Sequence, residues 1–113
     1  FGKRIGNLGS NRDIIANGRM AIEQARLLTL KAAWALDKHG TFGALTDISA
    51  IKVIAPNVLQ MVVDAAIQIH GGEGVSDREL NMLMAAARAL RIADGPDEVH
   101  RGMVARLELK RYV

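Results

Sequence analysis

The residues best suited to chemistry lie in a short segment that runs from Leu90 to Arg101. An apolar helical pattern ends there, an Asp-Gly-Pro turn follows, and a second helical pattern begins at once. Gly95 permits backbone angles that other residues avoid, and Pro96 suits the first position of a helix. The segment therefore predicts two helices joined by a tight corner that carries Asp94. Its carboxylate could act as a general base toward a neighbouring cavity, or it could cap the second helix.

The bulk composition is that of an ordinary globular domain. Half of the 113 residues are hydrophobic and 24% are charged, which suits a single domain over residues 1–113. The chain has no Cys, which excludes disulfides and thiolate metal sites, and its three His residues show no metal-ligand spacing. The net charge of +3 comes from interspersed residues rather than a basic stripe, which argues against a nucleic-acid partner.

The chain shows no targeting or anchoring signal. Charged residues interrupt its apolar runs, so we expect no membrane span, and the N-terminus lacks the apolar stretch of a secretory signal. We therefore expect a soluble, intracellular protein. Because the chain opens on Phe1 rather than Met, we also expect it to be a segment of a longer protein.

Hydrophobic periodicity predicts two long helices in the first part of the chain. The first runs from about Asn11 to Lys38, has a wide apolar face and ends at a Gly cap, and its Gly18 marks a close helix crossing. The second carries an apolar stripe with alternating steps of three and four residues. Its members are Ile48, Ile51, Ala55, Val58, Val62, Ala65 and Ile69. Because the stripe stays in phase across Pro56, we expect a kink there rather than a break.

Two shorter helices follow. The third is expected from about Arg78 to Ile92, with Asp77 as its cap, and the fourth begins near Pro96. The residues predicted to face inward are Leu80, Leu83, Met84, Ala87 and Leu90 or Arg91 on the third helix, and Val99, Met103, Leu107 and Leu109 on the fourth. No useful period-two alternation occurs, so the fold class is all-α, an antiparallel four-helix bundle. Its first two helices offer more apolar surface than one small bundle covers, which predicts self-association.

A glycine-rich segment, His70-Gly71-Gly72-Glu73-Gly74, ends the second helix. Its glycines could cap the helix and form a plain turn, or they could let a ligand approach the backbone closely. Gln68, just before them, offers amide donors and an acceptor, although a polar residue at a helix end could equally bond to nearby backbone.

Four motifs along the chain together resemble the C-terminal helical domain of acyl-CoA dehydrogenases. They are Phe1-Gly2-Lys3, Glu23-Gln24-Ala25-Arg26, the segment from Ala66 to Gly74, and the Asp94 corner. The resemblance implies that this chain is the C-terminal part of a longer FAD-dependent flavoenzyme that dehydrogenates acyl-CoA, as in fatty acid β-oxidation. It also implies a homodimer or homotetramer, and an electron-transfer flavoprotein as electron acceptor. The implied location is cytoplasmic in a bacterium and mitochondrial or peroxisomal in a eukaryote.

The same resemblance assigns roles to individual residues. Asp94 occupies the position of the carboxylate, usually Glu, that removes the α-proton of the substrate. Phe1, Gln68, Gly71 and Gly72 correspond to residues at an FAD site shared between subunits. No metal ligand is implied.

Part of the corner departs from the family pattern. Pro96 and Glu98 stand where the family has a small hydroxyl residue and a Gln at the cofactor, so those roles do not carry over. Asp97 and Glu98 are interpreted as acidic first-turn residues favoured by the helix dipole. Arg101 matches an Arg in the family's pattern, although its role could simply be that of an ion-pair partner. His100 is interpreted as a partly exposed helix residue. Two other functions remain open: a non-catalytic helical oligomerisation module and an acyl-CoA oxidase domain.

Overall fold

The computed structural model describes residues 2–113, and Phe1 lies outside the described residues. A short 3₁₀ turn precedes five α-helices, and the described part of the chain contains no strand. The helices are α1 (Asn11–Gly43), α2 (Leu45–His70), α3 (Gly72–Ser76), α4 (Arg78–Leu90) and α5 (Asp97–Leu109). The predicted all-α fold is confirmed, and its four main helices are α1, α2, α4 and α5.

The first two helices form an antiparallel pair. Gly18, early in α1, faces Val62, late in α2: a Cβ at Gly18 would lie 3.7 Å from the Val62 side chain. Lys31 donates to Asp47 across the same pair at 2.9 Å, near the other ends of the two helices. The predicted crossing at Gly18 is therefore an ordinary van der Waals contact. Regular helix geometry in α1 stops at Gly40, whose φ of 70° marks the predicted Gly cap.

The second helix lies at the centre of the fold, since α1, α3, α4 and α5 all pack against it. It is continuous through Pro56, so no break occurs there, as the sequence predicts. Its most buried face comprises Ser49, Val53, Pro56 and Val63, next to the apolar stripe predicted from the sequence. That stripe is mostly half-buried in the described chain. Because α2 packs neighbours on more than one side, the stripe alone does not identify its deepest face.

α2 is also long and apolar enough to cross a membrane, by length and composition. Our expectation from the interrupted apolar runs did not anticipate this. A single such helix is weak evidence for a membrane protein, because the central helix of a helical domain has the same composition. In this fold, α1, α3, α4 and α5 pack against α2, and 17% of its most apolar window is buried.

The glycine-rich segment is more regular than the sequence predicts. Only Gly71 adopts a left-handed conformation, with φ of 61°, and its amide donates to the carbonyl of Gln68 at 3.2 Å. Residues from Gly72 onward form α3 instead of a loop. The predicted cap at Asp77 is confirmed, because its carboxylate accepts from the amide of Leu80 at 2.8 Å.

The inward face of α5 differs from the prediction. Val99 and Leu109 are exposed in the described chain, whereas Asp97 is 3% exposed. Met103 and Leu107 are half-buried, as expected for inward positions. The prediction at Val99 is wrong because α5 turns the carboxylate of Asp97 inward, toward charged and amide partners.

Gly74 is the glycine at which two backbones come closest. It is buried, and a Cβ there would lie 2.9 Å from the Cα of Ile67 and closer still to its carbonyl oxygen. A Cβ at Gly72 would meet no atom within 4 Å. We therefore predict that Gly74→Ala lowers the free energy of unfolding by about 1–3 kcal/mol, as overpacking does. Gly72→Ala, the matched control, should be neutral or slightly stabilising.

Equilibrium urea unfolding of the parent and the two variants measures both effects. Equal stability of the two variants would contradict the close approach at Gly74.

Candidate active site at the corner between α4 and α5

The corner comprises residues 91–96, between the end of α4 and the start of α5. The amide of Ala93 still donates to the carbonyl of Ala89 at 2.8 Å, which carries the helical turn past the end of α4. Asp94 then adopts φ of 54° and Gly95 φ of 98°. Left-handed backbone costs a residue with a Cβ on the order of 1 kcal/mol, although Asp is among the residues that adopt it most readily. The chain reverses here through two consecutive left-handed residues.

A lysine from the central helix holds the corner at two points. The Nζ of Lys52 donates to the carbonyl oxygen of Leu90 at 2.6 Å and to that of Gly95 at 3.2 Å. The first carbonyl belongs to the end of α4, where helix carbonyls lack partners within the helix. The second lies on the far side of the turn. A single ammonium group on α2 therefore links the two sides of the corner.

A histidine from α5 contacts the same turn. The Nε2 of His100 lies 3.1 Å from the carbonyl oxygen of Asp94, at hydrogen-bond distance. Its ring occupies the space in which Gly95 would carry a side chain, since a Cβ there would lie 2.8 Å from Nε2. Gly95 is therefore required both for its backbone conformation and for the approach of the ring.

A buried carboxylate fixes the start of α5. The Oδ2 atom of Asp97 accepts from Arg91 at 2.8 Å and from Asn57 at 3.1 Å, and Arg101 lies 4.0 Å away. The amide of Asp97 also donates to the carbonyl of Arg91 at 3.1 Å. Arg91 in turn donates to Gln60 on α2 at 2.8 Å. One carboxylate thus joins the corner, α2 and α5, and the expected ion-pair role of Arg101 fits this geometry.

The partners of Asp97 lower its pKa below the ordinary value of 3.8. The largest cause is the hydrogen bond from Asn57, and burial acts in the opposite direction by disfavouring the charge. The hydrogen bond and the positive charge of Arg91 lower the pKa further, as does the charge of Arg101. Asp97 is therefore a structural anion, not merely the dipole-favoured residue that the sequence suggested.

Asp94 itself is exposed at the tip of the corner. Helix α5 begins after Pro96, and no side chain caps its first turn. The N-cap interpretation of Asp94 is therefore wrong, because its left-handed backbone places it outside the capping position. Among the described residues, the carboxylate of Asp94 has no ion-pair partner, so it remains available to a ligand.

The chain matches the family "Acyl-CoA dehydrogenase, C-terminal domain" over residues 1–109. This chain belongs to the acyl-CoA dehydrogenase family. It is 48% identical over 112 residues to the probable acyl-CoA dehydrogenase FadE2 of Mycobacterium tuberculosis, covering 98% of this chain and 28% of that protein. It is also 51% identical over 112 residues to the probable acyl-CoA dehydrogenase IBR3 of Arabidopsis thaliana, covering 98% of this chain and 14% of that protein.

A solved structure supports the same family and fold. It is a candidate acyl-CoA dehydrogenase from Mycobacterium abscessus, with a TM-score of 0.95 and 60% sequence identity. The match covers 100% of this chain and 28% of that one. The chain therefore spans less than a third of the length of these acyl-CoA dehydrogenases.

Three of the residues expected at a cofactor lie at or just beyond the other end of α2, and the fourth, Phe1, lies outside the described residues. Gln68 is exposed in its last turn, and within the described residues its side chain makes no hydrogen bond to the backbone. Gly71 and Gly72 follow directly, and a Cβ at either would meet no atom within 4 Å. At 1.5 Å per residue, Gln68 lies roughly 24 Å along the helix axis from Lys52. The structure thus groups these three residues together and separates them from Asp94.

Sequence reasoning missed the residues that hold the corner. Lys52, Asn57 and Gln60 are polar positions in the middle of the largely apolar second helix, and all three reach the corner or the start of α5. A long polar side chain on a central helix needs a partner, which is the signal that could have identified them. His100, interpreted as a helix residue without a particular partner, contacts the Asp94 backbone.

We predict that Asp97→Asn lowers the free energy of unfolding at neutral pH by about 3 kcal/mol, because it leaves Arg91 without its anionic partner. The stabilisation from a carboxylate with a lowered pKa is present above its unfolded-state pKa of about 3.9 and is lost as the pH falls through the folded-state pKa. The difference between parent and variant should therefore be greatest near pH 7 and shrink below about pH 4.

Urea unfolding between pH 3 and 7 tests this prediction. Glu108→Gln is the matched control, because the pair of Glu108 with Arg111 is exposed and such pairs contribute 1 kcal/mol or less. A pH-independent difference for Asp97→Asn would count against the ionised network.

Proposed function

We propose that this chain is the C-terminal helical domain of a longer FAD-dependent acyl-CoA dehydrogenase and that Asp94 is its catalytic base. The observation that carries the proposal is the exposed Asp94 carboxylate at a corner held by α2 and α5. Family membership supplies the reaction class. The rigid corner supplies what a general base requires, which is a fixed position relative to the substrate.

The proposed step is removal of a proton from the α-carbon of an acyl-CoA thioester. An oxygen of Asp94 accepts the proton as the α-carbon–hydrogen bond breaks. FAD, when bound, would supply the acceptor for the hydride that leaves the β-carbon. A double bond forms between the two carbons, so protons and electrons balance. Asp is one methylene shorter than the Glu usual in the family, so the acyl chain would need to lie correspondingly closer to the corner.

The residues at the end of α2 fit a contribution to an FAD site. Gly71 and Gly72 leave open space beside the backbone, and the amide of Gln68 lies next to them. A cavity of about 260 Å³ nearby is less suitable for the phosphates of FAD, because Glu73, Asp77 and Glu79 contribute to its lining. We therefore assign the ADP part of FAD to the open side of the Gly71-Gly72 pair.

We also propose that the protein functions as a homodimer or homotetramer. An apolar groove of about 490 Å³ lies between the first half of α1 and the second half of α2. The outer face of α1 exposes Leu27, Leu30 and Trp34 at helical spacing. Contiguous apolar surface of this kind is typical of protein interfaces. A second copy is the proposed partner, and an electron-transfer flavoprotein is the proposed electron acceptor.

The decisive experiment replaces Asp94 by Asn in the complete flavoprotein. Asn also tolerates left-handed backbone, so the fold and the binding of acyl-CoA should persist. An amide cannot accept the α-proton, so reduction of the flavin by acyl-CoA should slow on the order of a hundredfold or more. Stopped-flow absorbance of the flavin measures this rate under anaerobic conditions.

Asp64→Asn, an exposed carboxylate on α2, is the matched control and should retain the parental rate. Parental flavin reduction by Asp94→Asn would overturn the assignment of the base. Reoxidation of the reduced parent by air, faster than by an electron-transfer flavoprotein, would instead favour an acyl-CoA oxidase.

A second prediction concerns the cofactor end of α2. Gly72→Val places a branched side chain in the open space beside Gly72, so FAD retention should fall well below that of the parent. Gly102→Val is the control, because a Cβ at Gly102 in α5 also meets no atom within 4 Å. Flavin content and apoprotein melting temperature are measured for both. The proposed FAD site would be contradicted if the melting temperature of Gly72→Val fell in parallel with its flavin content. It would also be contradicted if Gly102→Val lost as much flavin as Gly72→Val.

A further inference from the structure

Two consecutive backbone carbonyls beside the proposed base receive side-chain contacts from different helices. The carbonyl of Asp94 lies 3.1 Å from His100 Nε2 on α5, and that of Gly95 accepts from Lys52 on α2 at 3.2 Å. These carbonyls belong to the two peptide groups that follow the Cα of Asp94. The first of these peptide groups includes the Cα of Asp94, so holding it restrains the point from which the Asp94 side chain leaves the backbone, and holding the second restrains the turn that follows.

Capping of α4 explains only part of the Lys52 interaction. Its hydrogen bond to Leu90 satisfies a carbonyl at the end of that helix, and a basic side chain is favourable there. Its second hydrogen bond reaches Gly95, five residues beyond the end of α4. Among the described residues, Lys52 forms no ion pair with a carboxylate, so its charge is directed at the corner backbone.

The backbone conformation of Asp94 explains why these contacts matter. Asp94 has φ of 54°, a conformation that is energetically unfavourable for a residue with a Cβ, so contacts that hold the turn favour it. The His100 ring also lies in the space that a side chain at residue 95 would fill. The turn is therefore held from the α2 side by Lys52 and from the α5 side by His100.

We propose that Lys52 and His100 are positioning residues that aim the Asp94 carboxylate, an inference that rests on the proposed function. Neither side chain contacts the substrate in this proposal. Each acts through one backbone carbonyl. Release of either contact lets the corner rotate, and a displaced base loses rate while the acyl-CoA site is retained.

The test uses the complete flavoprotein and compares Lys52→Met, which removes the donor, with Lys52→Arg, which restores it. Lys52→Met should lower the rate constant of flavin reduction at saturating acyl-CoA on the order of tenfold to a hundredfold. The Kd for acyl-CoA should stay within about twofold of the parental value, since uniform binding is not changed. Lys52→Arg should recover most of the rate. Lys31→Met, which removes a lysine paired with Asp47 on α2, is the matched control and should keep the parental rate.

A double variant separates positioning from general structural support. If Lys52 acts through Asp94, adding Lys52→Met to Asp94→Asn should cause little further loss of rate. An equal further loss in that background would overturn the proposal, as would a parental rate for Lys52→Met alone. His100→Leu and His100→Gln form an independent pair, in which only Gln keeps a donor. Loss with Leu and recovery with Gln supports the proposal even if Lys52→Met fails to fold.

The same measurements keep this inference distinct from the proposed function. If Asp94→Asn reduced its flavin at the parental rate, Asp94 would not be the base, and the proposed function would be overturned together with this inference. A slow Asp94→Asn together with parental rates for Lys52→Met and His100→Leu would retain the base and overturn only the positioning role.

Discussion

The structure around the corner depends on how the buried charge of Asp97 is neutralised. A carboxylate that is 3% exposed requires partners, because removal of an ion from water is costly. All of its close polar contacts converge on one oxygen, while Oδ1 has no hydrogen-bond partner within the described chain. The positions of Arg91 and Asn57 are therefore constrained together. This constraint fixes where α4 ends, where α5 begins and how both approach α2.

The central helix α2 consequently has two structural roles. Its apolar residues pack α1 and the later helices, while Lys52, Asn57 and Gln60 provide three polar links to the corner and α5. The spacing of these three residues keeps them on neighbouring turns of α2. Apolar side chains also remain exposed on α1, because this helix packs mainly against α2 and cannot bury all of its faces within this domain.

The sequence pattern was sufficient for the four main helices but not for α3 or for the contacts between helices. Periodicity located the four main helices, and local chemistry located the Asp77 cap and the Gly40 stop. The burial of Asp97 could not be predicted from the sequence pattern. An acidic residue in the first turn of a helix has the same sequence signature whether the helix dipole or an arginine distant in sequence stabilises it. Likewise, the sequence does not distinguish Gly74 from a loop glycine, because the close approach of the Ile67 backbone is visible only in the structure.

The identity of the proposed base is linked to the conformation of its backbone. At φ of 54°, Asp is a better choice than Glu, because short Asx side chains populate left-handed backbone more readily than longer ones. The following Gly95 accommodates the His100 ring, and α5 then begins after Pro96 without a side-chain cap. The usual Glu of the family would reach further but would adopt this turn less readily. An Asp side chain has less reach and fewer rotamers than Glu, so the position of the proposed base depends more strongly on the backbone that carries it. The short carboxylate at residue 94 therefore requires a corner whose backbone is held in place.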